Sequence, residues 1–193
     1  MAFRIAVLIS GTGSLLQALL DAQAAGELDA EVVVVGSDRG DAQGLQRAGE
    51  AGVPSFVHPF AKGSDRSAWD AELTELVAAY RIDLVVLAGF MKLVGPVFLA
   101  RFGGRTINTH PALLPSFPGM HGPRDALEYG VKVTGTTVFE VDAGVDTGRI
   151  LAQEPVRVLP DDTVDSLHER IKVAERVLLV HTVNELASKG NNA

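Results

Sequence analysis

Apolar residues in the first half of the chain fall into short unbroken runs separated by amphipathic stretches. Phe3–Ile9, Glu31–Val35, Ser55–His58, Asp83–Ala88 and Arg105–Thr109 have the length and β-branched content of strands. Between them, Ser14–Ala25 puts Leu15, Leu16, Leu19 and Leu20 on one stripe, and Ser64–Tyr80 aligns Trp69, Leu73, Leu76, Val77 and Tyr80 at helical spacing. Asp41–Ala51 and Pro96–Phe102 complete the helical set. The strands are continuously apolar rather than alternating, so both of their faces are expected to be covered, as in a parallel sheet flanked by helices. Repeated strand–helix units predict an α/β, doubly wound, mostly parallel sheet of Rossmann-like type. Ligands of such sheets sit at the carboxyl ends of the strands.

The pattern changes after Asn108. Pro111, Pro115, Pro118 and Pro123, with Gly119 and Gly122, predict a long irregular loop, followed by a short helix over Arg124–Tyr129. Val131–Val141 and Ile150–Val158 flank the turn Gly144–Gly148 and read as antiparallel strands at the sheet's C-terminal edge. Asp161-Asp162-Thr163 caps a final helix over Val164–Ala187, and the tail Asn191-Asn192-Ala193 is expected to fray. With 193 residues and no linker or repeat, one domain is expected: a nucleotide- or phosphate-binding half over about residues 1–100 and a catalytic and folate-binding half over about 101–187.

Composition narrows the chemistry. No cysteine is present, which removes disulfides, thiolate metal sites and a cysteine nucleophile, and fits a reducing, cytoplasmic setting. The apolar run Ile5–Ile9 is too short for a secretory core and leads into a glycine turn. No stretch approaches the roughly 18 apolar residues of a membrane span. A net charge of −7 without a Lys/Arg cluster argues against nucleic acid and for small-molecule substrates. No HxxxH or HxH with a nearby acid appears, so no metal is expected; His58, His168 and His181 read as packed or solvated.

Three strand ends carry candidate chemistry. Ser10-Gly11-Thr12-Gly13-Ser14 joins a strand to a helix, and its glycines and the helix start suit a phosphate. The third glycine of a dinucleotide fingerprint is replaced by Leu16, although Asp38 at the second strand's end keeps a nicotinamide-cofactor reading open. A plain left-handed turn needs the same glycines. In Thr106-Ile107-Asn108-Thr109-His110-Pro111, Asn108 and His110 share one strand face. A carboxamide beside an imidazole can stabilise an oxyanion and move a proton, as acyl transfer requires; the alternative is a structural pair closing a loop. In Val141–Gly148, Asp142 and Asp146 serve as turn formers unless Asp146 folds back on His110, where a carboxylate favours the imidazolium. Phe90, Met91, Leu93 and Val94 follow the fourth long strand and fit either a flat ring ligand or plain core packing.

The strings VLISGTGSLLQALL, DLVVLAGFMKLV, INTHPALLPSFPGMHGPRDALEYG and GVDTGRIL together resemble the phosphoribosylglycinamide formyltransferase family, folate-dependent enzymes of purine synthesis, over roughly residues 3 to 187. The resemblance implies formyl transfer from 10-formyltetrahydrofolate, as co-substrate, to the amine of glycinamide ribonucleotide, by a monomer or homodimer. It implies that Gly13, Ser14 and Leu15 hold the ribonucleotide phosphate and that Glu175 lies near the substrate amine. Arg66, Met91, Lys92, Leu93 and Val94 match folate-contacting positions. Asn108 matches a residue touching the folate and the formyl group, His110 the proton donor, and Asp146 the acid that favours its charged form. Leu15 departs from a common Asn and Phe139 from a common His, which puts nucleotide contacts in question more than the three catalytic positions.

Two other readings remain. A formyltetrahydrofolate hydrolase uses the same Asn, His and Asp with water as acceptor, and a non-catalytic nucleotide-binding module rests on Ser10–Ser14 and Asp38. The chain length is expected to exclude the hydrolase's regulatory domain and the RNA-binding domain of a methionyl-tRNA formyltransferase.

Overall fold

A computed structural model of the chain describes residues 2–190; the tail expected to fray, 191–193, lies outside the described residues. In chain order the elements are β1 (Phe3–Ile9), α1 (Ser14–Ala25), β2 (Ala30–Ser37), α2 (Gln43–Glu50), β3 (Ser55–Val57), α3 (Arg66–Ala78) and β4 (Leu84–Leu87). They continue with α4 (Pro96–Phe102), β5 (Thr106–His110), α5 (Gly122–Tyr129), β6 (Val133–Glu140), β7 (Ile150–Arg157) and α6 (Val164–Gly190).

The strands form one sheet in the order β3-β2-β1-β4-β5-β6-β7. Strands β1 to β5 pair in parallel, whereas β6 runs antiparallel to β5 and β7 antiparallel to β6. The continuous apolar runs have the predicted cause. Along β1, Ile5, Val7 and Ile9 pack with α1 and α6 residues such as Leu16, Leu19, Leu179 and Val183. Ala6 and Leu8 face the opposite side, against Trp69, Leu73, Phe98 and Phe102 of α3 and α4. Each fully covered Leu, Ile or Phe contributes about 1.5–3 kcal/mol, so the alternation of a single strand anchors both helical layers.

Element boundaries differ from the periodicity where side chains cap the backbone. Helix α3 starts at Arg66 rather than Ser64 because extended Asp65 accepts from Ser67 N at 2.8 Å and Ala68 N at 3.3 Å. Helix α6 starts at Val164 as predicted, with Thr163 as its cap: Ser166 N donates to Thr163 Oγ1 at 3.1 Å and Thr163 N to Ser166 Oγ at 3.0 Å, a reciprocal box. Asp162 is engaged instead with Arg170, at 2.5 Å and 2.7 Å. Strand β5 runs one residue further than predicted, so His110 is held by ladder pairing opposite Thr137.

The chain winds outward from β1 through β2 to β3, then crosses back to β4 and continues the other way. The switch point therefore lies between the carboxyl ends of β1 and β4, and β5 ends beside it.

Candidate active site

After β1 the chain turns through Gly11–Ser14 into α1. Gly13 takes φ 71°, a left-handed conformation, and a Cβ there would lie 2.7 Å from the Gly44 Cα, so glycine is required twice over. No side chain caps the start of α1, which leaves its first amides and positive dipole end for an anion. Ser14, Gln17 and Arg47 line one wall of an open groove of about 830 Å³, and Arg176 and His181 line the other. Arg47 is fixed by Thr12 O and Gln17 Oε1, both at 2.8 Å. Leu15 is buried in the core, so only its backbone is available to a ligand.

Asp38 does not present a free carboxylate to a ribose. It is 7% exposed, accepts from Ser10 Oγ at 2.5 Å, and lies 3.5 Å from Lys92 Nζ. Those contacts weaken the nicotinamide-cofactor reading.

After β4, the Met91–Gly95 segment is tied down by its backbone; Val94 packs on the core, while the Met91 and Leu93 side chains stay outside. Met91 N donates to Ser10 Oγ at 2.7 Å, and the Arg66 guanidinium donates to Leu93 O. Met91 is 64% exposed and Leu93 60%, which core residues would not be. The segment ends on Asp70, whose buried carboxylate accepts from Gly95 N at 2.6 Å, Val97 N at 2.9 Å and Phe98 N at 3.2 Å. Asp70 caps α4 from another helix, a role sequence reading missed. Its signal is faint: an acid at the inward i position of a stripe continued by Leu73, Thr74 and Val77.

At the end of β5, Asn108 and His110 do share a face, and Thr109 points to the other side. Asn108 Oδ1 accepts from Thr109 N at 2.9 Å, so the amide Nδ2 is the group left with hydrogens to offer. Phe139 stands opposite Asn108 in the antiparallel ladder and gives it a buried apolar neighbour.

His110 is only 4% exposed. Its Nε2 lies 2.7 Å from Phe117 O, and a carbonyl can only accept, so Nε2 carries a hydrogen. Its Nδ1 faces Asp146 Oδ2 at 3.4 Å. That separation suits an ion pair better than a short hydrogen bond, because the same oxygen accepts from Gly119 N at 2.7 Å. With Nε2 committed, Nδ1 is the nitrogen that can gain or lose a proton. Gly122 permits this packing: a Cβ there would meet Pro111 O at 3.0 Å and His110 Nε2 at 3.3 Å.

Among the described residues, three non-glycine residues have positive φ, and two of them flank this imidazole: Phe117 at 56° and Asp146 at 55°. Such a conformation costs about 1–3 kcal/mol and persists where surrounding contacts over-determine it. The two loops are thus held against their local preference around His110.

Glu175 lies on α6, behind Thr109. It is 6% exposed, burial raises its pKa above the usual 4.5, and a hydrogen bond from Thr109 partly opposes that rise. Three further histidines, His58, His168 and His181, are packed or solvated as expected. His58 stacks on Trp69 at 5.3 Å between ring centroids, His168 is partly buried, and His181 pairs with Glu185 at 3.2 Å on the surface. Among the described residues no group of three or more His, Asp or Glu is placed to hold a metal ion, and no helix is long and apolar enough to cross a membrane.

Comparison with known proteins identifies the chain's relatives. Residues 3–183 match the model of the formyl transferase family. A phosphoribosylglycinamide formyltransferase of Mycobacterium tuberculosis is 59% identical over 187 residues, spanning 97% of this chain and 86% of that protein. The trifunctional purine biosynthetic protein adenosine-3 of Drosophila melanogaster is 51% identical over 174 residues, which are 89% of this chain and 13% of the larger protein. Among solved structures, glycinamide ribonucleotide transformylase 1 of Symbiobacterium toebii superposes with a TM-score of 0.94 at 48% identity, covering 97% of this chain and 88% of the other.

Proposed function

The chain belongs to the formyl transferase family, and from that membership we propose that His110, Asn108 and Asp146 transfer a formyl group from 10-formyltetrahydrofolate to the primary amine of glycinamide ribonucleotide. The activity is that of a phosphoribosylglycinamide formyltransferase in purine biosynthesis. The observation that carries the residue assignment is the imidazole held between the Asp146 carboxylate and the Phe117 carbonyl, one residue from Thr109 and two from Asn108.

The ribonucleotide phosphate takes the Gly13-Ser14-Leu15 amides, with Leu15 contributing backbone only. Strands β1 and β5 are separated by β4, about 10 Å at the usual spacing of strands. A phosphate at the end of β1 therefore leaves room for the ribose and glycinamide to reach Asn108. Glu175 stands near the amine of the ribonucleotide. The folate ring lies against Met91, Leu93 and Val94, with backbone groups of the Met91–Gly95 segment and the nearby Arg66 and Lys92 at its edges.

The neutral amine attacks the formyl carbon, forming a C–N bond and an oxyanion. Asn108 Nδ2 and His110 Nδ1–H donate to that oxygen, and the Asp146 carboxylate stabilises the imidazolium. Collapse breaks the bond to the folate nitrogen, which takes up the proton released by the amine, through His110 or water. We place the protein in the cytoplasm, acting on small molecules alone. The first half of the chain binds phosphate and the second carries the catalytic centre.

Incubation with 10-formyltetrahydrofolate and glycinamide ribonucleotide, followed by mass spectrometry, tests this reading. Formylated ribonucleotide and deformylated folate should appear in equal amounts. Formate release with the amine left intact would favour the hydrolase, and an unconsumed folate beside NAD-dependent thermal stabilisation would favour the binding module.

A further inference from the structure

The Gly11–Ser14 turn and the Met91–Gly95 segment meet at the switch point, and one buried carboxylate reaches both. Ser10, immediately before the turn, donates its hydroxyl to Asp38 Oδ1 at 2.5 Å and accepts from Met91 N at 2.7 Å. The other Asp38 oxygen lies 3.5 Å from Lys92 Nζ. An ionised carboxylate only accepts, so the single Ser10 hydroxyl hydrogen must point at Asp38, and its lone pair is then aimed at Met91 N–H. The chain N–H to O–H to carboxylate has one orientation, and its members polarise one another. Ser10 is 6% exposed and Asp38 7%, so water is a poor substitute for any lost partner. At its far end the same segment is held by Asp70 through Gly95, Val97 and Phe98.

We propose that Asp38 is a positioning residue that clamps the phosphate-side turn and the folate-side segment into one unit, so that its loss loosens both substrate sites together. The naming of the two ligands rests on the function proposed above, whereas the clamp is a property of the chain itself. Asp38 lies at the end of β2 and touches neither substrate; it acts through Ser10 and Lys92.

Two variants and two measurements test the clamp. Ser10→Ala removes the bridging hydroxyl. Asp38→Asn is isosteric, removes the charge facing Lys92, and keeps the test open should Ser10→Ala fold poorly. Each should raise KM for both substrates by about tenfold, the usual effect of losing a hydrogen bond to a charged group, with a much smaller change in kcat. A rise in KM for one substrate only, or a lower melting temperature with both KM values unchanged, would overturn the proposal. Amide hydrogen exchange on the ligand-free protein gives an answer independent of substrate identity. In both variants exchange should accelerate in residues 11–14 and in 91–95 together. Acceleration confined to one of the two segments refutes the clamp, even if the substrates are other than those named.

Discussion

Replacing Asp146 by Asn isolates the electrostatic part of the mechanism. The substitution keeps the side chain's shape, and Asn tolerates the left-handed φ of 55° that this position imposes. Its amide oxygen can still accept from Gly119 N, which sits 2.7 Å from the present carboxylate. The removed quantity is a unit charge 3.4 Å from His110 Nδ1, in a place where the imidazole is 4% exposed. At an effective dielectric constant of about 20, that attraction amounts to about 5 kcal/mol. If half of it survives reorganisation of nearby dipoles, about 2.5 kcal/mol of stabilisation of an imidazolium disappears. At 1.36 kcal/mol per decade, kcat falls between about 70-fold and about 5 × 10³-fold. Initial rates at saturating concentrations of both substrates measure the effect, with KM and a thermal melt as controls for binding and folding. A kcat close to wild type, in a protein that melts normally, would show that Asp146 does not power the reaction, and the proton transfer would need another source.

Three further outcomes follow from the same geometry. Burial raises the Glu175 pKa above 4.5, so in the window between that value and the raised one the native state holds more protons than the unfolded chain, and stability falls as pH rises through it. Glu175→Gln should therefore melt above wild type at pH 8 and converge with it below pH 4.5, and equal melts across the range would contradict the burial cost. Gly13→Ala must adopt φ 71° and displace Gly44, costing at least about 1–2 kcal/mol, with a larger rise in KM for the ribonucleotide than for the folate. Asp70→Ala orphans three backbone donors and should cost at least about 2 kcal/mol in denaturant unfolding while raising KM for the folate. A loss under half of that would mean water replaces the carboxylate.

Much of the architecture was legible from periodicity because burial on both faces of β1 or one face of α1 leaves a local record in the order of residues. The same holds for the glycine turn after β1 and for Asn108 and His110, which share a face by the geometry of one strand. The start of α3 was less legible, since Asp65 sets it through side-chain bonds that periodicity does not report. The resemblance to a known family supplied the roles of Asp146, Glu175 and the Met91–Val94 positions, which spacing alone left open.

Tertiary structure alone decided which distant groups meet. The approach of Asp146 to His110, the Phe117 carbonyl that commits Nε2, and the joining of Ser10, Asp38 and Lys92 each bring together residues from separate loops. Charge and hydrogen-bond energies depend on separations of a few ångströms across loops whose path is set by packing of the whole sheet. A one-dimensional pattern encodes which residues are buried; which buried charge faces which partner is decided only when the sheet and helices close around them.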